Sequence, residues 1–392
     1  MSLRDHLGEL LPCIDTAFPA DLLTVVGGFL EEHAGARNAT LLLADYDLQQ
    51  LRPMPSATRG LVDEPVPIVP IAGSDAGRSY AAQVTVAVPR AGEVIAYVPV
   101  TLRDERIGVL AATLPEPAGE DVFTGLAAVA TTLAYVLLAA GRYTDQFEQA
   151  RRRRPLSLEA EMQWGLQPVR AFSCEQFSLA GQLVPAYDVG GDNYDWVVNE
   201  RSVSVTALDA MGHGLNASML GTLAVSAVRN ARRRGEPLAD RLAFADRAIH
   251  QQFGGAQFVT AVSVEASLED GTIMAVSAGH PAPYLLRAGA VRQIDLAAHL
   301  PLGLFERTSY CAEPIELRPG DRLVLVSDGV LEATPGGLHA EFGEERLEAV
   351  LLSMADAAPH EAVRAAVHTL LDYQQGSMRD DATILVLDWH PS

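Results

Sequence analysis

Four aspartate positions in the second half of this 392-residue chain have the setting that hard-cation chemistry requires. They are Asp192 in Gly190-Gly191-Asp192, Asp209 in Asp209-Ala210-Met211-Gly212-His213-Gly214, Asp328 in Ser327-Asp328-Gly329, and the pair Asp380-Asp381. A single Asp-Gly step is an ordinary turn signal. These four are distinguished by standing where strand-like runs begin or end. Tyr194–Val198 reads as a strand, Asn199-Glu200 as a polar turn and Arg201–Leu208 as the returning strand. Asp192 and Asp209 then share the open end of that hairpin. Arg322–Ser327 is an apolar run that ends at Asp328, and Thr383–Asp388 is an apolar run that starts after Asp380-Asp381. If those strands are antiparallel neighbours, Asp328 and Asp380 also face each other.

Carboxylates crowded on one edge repel each other and stay ionised together only with cations among them. An all-oxygen set without clustered Cys or His selects hard ions, Mg²⁺ or Mn²⁺. Two such ions side by side activate water and neutralise a phosphoryl group. The neighbouring glycines let backbone approach the ions and offer a carbonyl as a ligand.

Gly190-Gly191-Asp192-Asn193-Tyr194-Asp195, the 209–214 stretch, Ala278-Gly279-His280-Pro281, Ser327-Asp328-Gly329 and Asp380-Asp381-Ala382-Thr383 together resemble the motif set of SpoIIE-type phosphatases. These are the bacterial branch of the metal-dependent type 2C protein phosphatases. The resemblance covers roughly Leu166–Trp389, with the motifs in order. It implies an αββα sandwich holding two Mn²⁺ or Mg²⁺ ions at one edge. On it, Asp209 bridges both ions, the Ala210 carbonyl binds one, and Asp192, Asp328 and Asp380, with Asp381 beside it, complete the set. It implies hydrolysis of phosphoserine or phosphothreonine on a regulatory protein, of the anti-anti-sigma (STAS) type, in a partner-switching pathway. The alternative is a catalytically silent adaptor that keeps the fold. Gly-Gly-Asp also occurs in diguanylate cyclases, but the Glu-Phe expected after it is absent. His213 has two open roles, general acid or hydrogen bonder in the turn. His280 is expected to cap a turn at a strand end.

Composition narrows the function further. A formal net charge of -21 excludes the basic footprint of a nucleic-acid binder. All 29 basic residues are arginine, so Walker A, kinase-type and Schiff-base lysine chemistry are absent. Cys13, Cys174 and Cys311, far apart and without a CxxC, fit a reducing compartment and no zinc site. Met1–Glu9 has no apolar signal core. Val122–Gly141 runs 20 residues without a charge, but its Ala, Thr and Gly content and central Tyr indicate a buried helix rather than a membrane span. A cytoplasmic protein without membrane contact is expected.

The elements that position the aspartates belong to an α+β fold. Residues 171–392 are expected as the phosphatase-like domain, with helices near Asn216–Arg233, Leu238–Gln252 and His360–Tyr373 packed on antiparallel sheets. Residues 146–170, including the run Arg151–Arg154, are expected as a helical linker able to pair with its copy in a homodimer. Residues 10–145 resemble a GAF domain by pattern alone: helix Phe18–His33, strand Ala39–Tyr46, long segment Pro53–Gly92, hairpin Val94–Leu102/Ile107–Leu114 and an apolar helix from Val122. That resemblance implies a small-ligand sensor or a dimerisation scaffold.

Overall fold

The computed structural model describes residues 3–55, 67–187, 190–335, 340–375, 378 and 380–390. Contacts divide the chain into two units, Met1–Pro155 and Leu156–Ser392. The segment expected as one linker is divided between them. Gln146–Arg151 is a helix of the first unit and Leu158–Trp164 a helix of the second.

The first unit is a six-stranded antiparallel sheet in the order Val69–Pro70, Gln50–Pro53, Arg37–Ala44, Glu105–Pro115, Glu93–Leu102, Val86–Arg90. Alternation sorts its side chains. Leu41 and Leu43 face the helices Leu7–Thr16, Leu22–Ala34 and Glu120–Ala140, while Leu42 and Ala44 face the short helix Asp75–Ala82. Glu120–Ala140 is long and apolar enough to cross a membrane by length and composition. Here Leu126, Val129, Ala130, Leu133, Ala134 and Leu137 pack one face of it into the core, while Tyr135 and Leu138 are exposed on the other. Pro53–Gly92, rich in Pro, Gly and Ser and open in the sequence to a long loop or a ligand-covering segment, holds regular elements: Ser74 caps Asp75–Ala82 through the Gly77 amide, and Val86–Arg90 forms the edge strand. Residues 56–66 of that segment lie outside the described set. The four-arginine run is structural where described. Arg151 covers the Tyr46 ring and donates to the Ala44 carbonyl, and Arg153 pairs with Asp45 and Asp47.

The second unit is a four-layer sandwich. One sheet runs Ala298–His299, Ile273–Ala278, Val259–Ser267, Ser202–Ala210, Asn193–Val198, with Glu313–Ile315 on Ile273–Ala278. The other runs Ala290–Gln293, Tyr284–Arg287, Arg322–Val326, Ala382–Trp389, Phe177–Val184, Ala171–Ser173. Pairing is antiparallel except between Ile273–Ala278 and Ala298–His299. Val203, Val205 and Ala207 of one sheet meet Leu323, Leu325, Leu385 and Leu387 of the other in the central core. Leu208 and Ala210 turn outward under the helices Leu215–Arg233 and Leu238–Phe253. Val324, Val326, Ile384 and Val386 turn outward under Gly343–Ser353 and Pro359–Tyr373. Burial on both faces explains why the Arg322 and Thr383 runs are apolar without alternation. Each buried Leu or Val there stabilises the fold by about 1.5–3 kcal/mol. The α+β class and αββα layering are as the sequence implied. Gly343–Ser353 is an additional helix.

Candidate active site

The two hairpins bring the aspartates to one rim of the sandwich. Leu208 pairs with Asn193, so one step further Asp209 stands opposite Asp192. The turn is centred one residue later than expected, since the Asn199 amide donates to the Ser202 carbonyl (2.8 Å). In the other sheet Val326 pairs with Ile384, and the Ser327 amide donates to the Thr383 carbonyl (3.1 Å). Asp328, Asp380 and Asp381 follow directly at that end.

Hydrogen bonds weld the two rims together. Ser327 Oγ donates to Asp192 Oδ2 (2.6 Å) and accepts from the Thr383 amide (2.9 Å). Asp381 Oδ2 accepts from the Gly190 (2.5 Å) and Asp192 (3.3 Å) amides. Asp380 Oδ1 accepts from the Asp381 amide (2.9 Å). Two glycines are fixed by close approach. A Cβ on Gly191 would lie 2.1 Å from the Ala210 carbonyl oxygen, and one on Gly329 would lie 1.7 Å from the Asp381 carbonyl oxygen. Gln163, fully buried on the Leu158–Trp164 helix, donates through Nε2 to the Gly190 (3.2 Å) and Asp192 (2.6 Å) carbonyls.

The electrostatics are those of charges awaiting a counterion. Burial, then the neighbouring Asp209 and Asp381 carboxylates, push Asp192 well above the usual carboxylate range. Burial, then Asp328 and Asp380, push Asp209 up to about 7. Burial is also the main cause that lifts Asp381 to about 7. Asp328 and the nearby Glu332 are raised for the same reasons. Among the described residues no ion pair involves any of the five aspartates. Asp195, equally buried three residues from Asp192, shows the contrast: Arg229 (2.7 Å) and Arg232 (2.6 Å) neutralise it. Carboxylates without an arginine partner among the described residues, in an oxygen-only set, fit hard divalent cations.

This arrangement sets a sign for pH. Asp209 and Asp381 sit near 7 in the fold against an ordinary value of about 3.9. A raised acid stabilises the fold fully below its unfolded pKa, and that stability is lost as pH rises through the folded pKa. In EDTA the second unit is therefore expected to melt at lower temperature near pH 8 than near pH 5.5. Mn²⁺ or Mg²⁺ should cancel the fall, with protons released on binding near pH 7. Calorimetry across that range checks this; a chelated protein whose melting point rises with pH while Mn²⁺ changes nothing would refute it.

The two histidines separate. His213 is exposed on the turn before Leu215–Arg233. His280 is buried, with Nδ1 2.8 Å from Thr260 Oγ1, and burial pushes it down to about 4. Thr260 is the register partner of Asp209, so His280 braces the strand behind the rim in its neutral form. Sequence inspection missed Gln163 and Glu332. Ser327 was visible only as part of its motif.

The comparisons agree with this geometry. Residues 199–390 match the family model described as Stage II sporulation protein E (SpoIIE). The chain is 25% identical over 272 residues to the phosphoserine phosphatase RsbU of Bacillus subtilis, covering 68% of this chain and 80% of the relative. It is 22% identical over 165 residues to the phosphoserine phosphatase RsbP of the same organism, covering 41% of each. The solved SiaA-PP2C domain of Pseudomonas aeruginosa superposes with a TM-score of 0.51 at 23% identity, over 59% of this chain and 94% of that domain, a likeness of fold alone. With its rim of aspartates and its match to that family model, the second unit of this chain is a phosphatase domain of the SpoIIE/PP2C type.

Proposed function

We propose that the chain hydrolyses phosphoserine and phosphothreonine monoesters on a regulatory protein of the anti-anti-sigma type, using two Mn²⁺ or Mg²⁺ ions. The observation that carries this reading is the convergence of Asp192, Asp209, Asp328, Asp380 and Asp381, from two sheets, with no ion pair to any of them among the described residues. Asp209 is the central ligand, because it meets the charges of Asp192, Asp328 and Asp380. The Ala210 carbonyl, Asp328 and Asp380 complete the set. Asp192 and Asp381, tied to Ser327 and to the Gly190 amide, hold the two rims at a fixed distance. When bound, the ions supply Lewis acidity toward the phosphoryl oxygens and acidify water.

A macromolecular substrate is supported by the surface beside the rim. Met211 (48% exposed), Leu215 (39%) and Met219 (52%) present apolar area next to Asp209 that a small phosphate ester would not use. The resemblance of the relatives to this chain supports a partner-switching role. The first unit is read as a GAF-like regulatory domain that senses a small ligand or holds a homodimer, in a cytoplasmic protein.

The test is turnover of p-nitrophenyl phosphate and of a phosphoserine-bearing STAS protein with Mn²⁺, with Mg²⁺ and with EDTA. Mn²⁺-dependent release of phosphate from both is expected. Absence of turnover by purified, folded protein with either ion, alongside retained binding of the phosphoprotein, would replace this reading with the silent adaptor.

A further inference from the structure

A second cluster of ligand atoms lies in the first unit, apart in sequence and in chemistry from the aspartates. His6, Glu9 and His33 place one ligand atom each within 4.8 Å of one another. His6 and Glu9 are one turn apart at the start of the Leu7–Thr16 helix and so share a face. His33 comes from the last turn of Leu22–Ala34. His6 Nδ1 lies 2.9 Å from Glu9 Oε1, and His33 Nε2 lies 3.7 Å from Glu9 Oε2. The two imidazoles stack at 4.2 Å between centroids and 19° between planes, and both turn a nitrogen to the same carboxylate.

We propose that His6, Glu9 and His33 form a binding site for one divalent transition metal of the zinc class, with water in the fourth position. Two imidazoles and one carboxylate are a donor set that zinc uses in sites with an open position, and imidazole favours Zn²⁺, Co²⁺ and Ni²⁺ over Mg²⁺. Bonds of about 2.0–2.1 Å put tetrahedral ligands about 3.3 Å apart, so the atoms already stand within a side-chain rotation of binding distance. The stacked rings must fan apart to aim both nitrogens at one ion. Glu9 is free to move, being 64% exposed, while the imidazoles, 18% and 13% exposed, must shift against their packing. The carbonyl end of Leu22–Ala34 adds a negative potential at His33 that favours a cation. A site of two imidazoles and a carboxylate needs no cysteine.

An ion here would clamp two helices that otherwise meet through side chains alone. Leu3, just ahead of His6, is buried against Gly125 of the Glu120–Ala140 helix, where a Cβ on the glycine would lie 2.5 Å from the Leu3 Cβ. Metal loading would therefore fix the start of the chain to the helical layer of the first unit.

The probe is Co²⁺, titrated into the full untagged chain with excess Mg²⁺ present to occupy the oxygen site, and read by visible d–d absorption and by melting temperature. The result expected is one Co²⁺ with a four-coordinate spectrum. His6→Gln and His33→Gln should each weaken it at least tenfold, while Asp209→Asn leaves it unchanged. Glu9→Gln alters only an exposed side chain and should weaken binding in a chain that folds as before, which covers any failure of the histidine variants to fold. Equal Co²⁺ affinity and spectra in the native chain and Glu9→Gln, or loss of the signal in Asp209→Asn, would overturn the proposal. Phosphatase activity is a separate readout, so neither result bears on the aspartate site.

Discussion

Asp209→Asn is expected to lower kcat for phosphomonoester hydrolysis by on the order of 10³-fold, a loss of about 4 kcal/mol of transition-state stabilisation. The substitution keeps the shape of the side chain and removes one charge. Asp209 is the carboxylate that meets the charges of both rims, Asp192 within its own hairpin and Asp328 and Asp380 from the other sheet. Losing it should remove the ligand shared by the set rather than one contact among several. The same change relieves repulsion in the metal-free protein, because the group it deletes is one that burial and neighbours push up to about 7. The variant should therefore melt higher than the native chain in EDTA near pH 8, yet gain little from Mn²⁺. Lower activity together with higher metal-free stability separates a functional charge from a structural one. Native-like turnover of Asp209→Asn at saturating Mn²⁺ would remove the aspartate rim from the chemistry.

How much of this was legible in the sequence depends on how far apart the interacting residues lie. The 193–210 hairpin is a local object. The alternation of Ser202–Ala210 and a polar turn sufficed to place Asp192 opposite Asp209 to within a residue. The pairing of Arg322–Val326 with Ala382–Trp389 spans more than fifty residues. It was accessible because both runs are apolar without interruption and each has an aspartate at the matching end. The helix starts were close for a similar reason. Gly214, at φ 72°, and Pro359 mark them, and Leu215–Arg233 and Pro359–Tyr373 begin within one residue of the expected positions.

What stayed hidden depends on which surface meets which. Asp75–Ala82 is eight residues long, too short to hold as a helix alone, and Asp75, Gly77 and Ser79 offset the helix preference of its alanines. It exists because Ser74 caps it and because Gly77 lets it sit on the Ile71 backbone, where a Cβ would come within 1.8 Å of the carbonyl oxygen. By composition alone a four-arginine run reads as a solvated face. The partners of Arg151 and Arg153 are Tyr46, Asp45 and Asp47, a hundred residues earlier, and no local pattern announces such a contact. Glu332 joins the rim only because the Asp328–Leu331 turn folds back toward Asp328.

Gln163 is the clearest case of the hidden kind, and its replacement has the second largest expected effect. Its amide nitrogen serves the carbonyls of Gly190 and Asp192, the residues on either side of Gly191, and it has no access to water. Gln163→Leu keeps the volume and removes both donors. A buried carbonyl left without a donor costs about 1–3 kcal/mol, so the loop has strong reason to turn its carbonyls elsewhere. Turning them moves Gly191, which has no room beside the Ala210 carbonyl, and tilts Asp192 away from Ser327. The expected result is a half-saturating Mn²⁺ concentration raised tenfold to hundredfold, as for partners that orient metal ligands elsewhere. Activity should return in part at high Mn²⁺, with little change in the unfolding of the sandwich. Gln163→Glu should be worse than Gln163→Leu, because it sets a buried carboxylate against two carbonyl oxygens and close to the other acids. A half-saturating Mn²⁺ concentration unchanged in both variants would show that the Leu158–Trp164 helix merely packs beside the metal loop and does not position it.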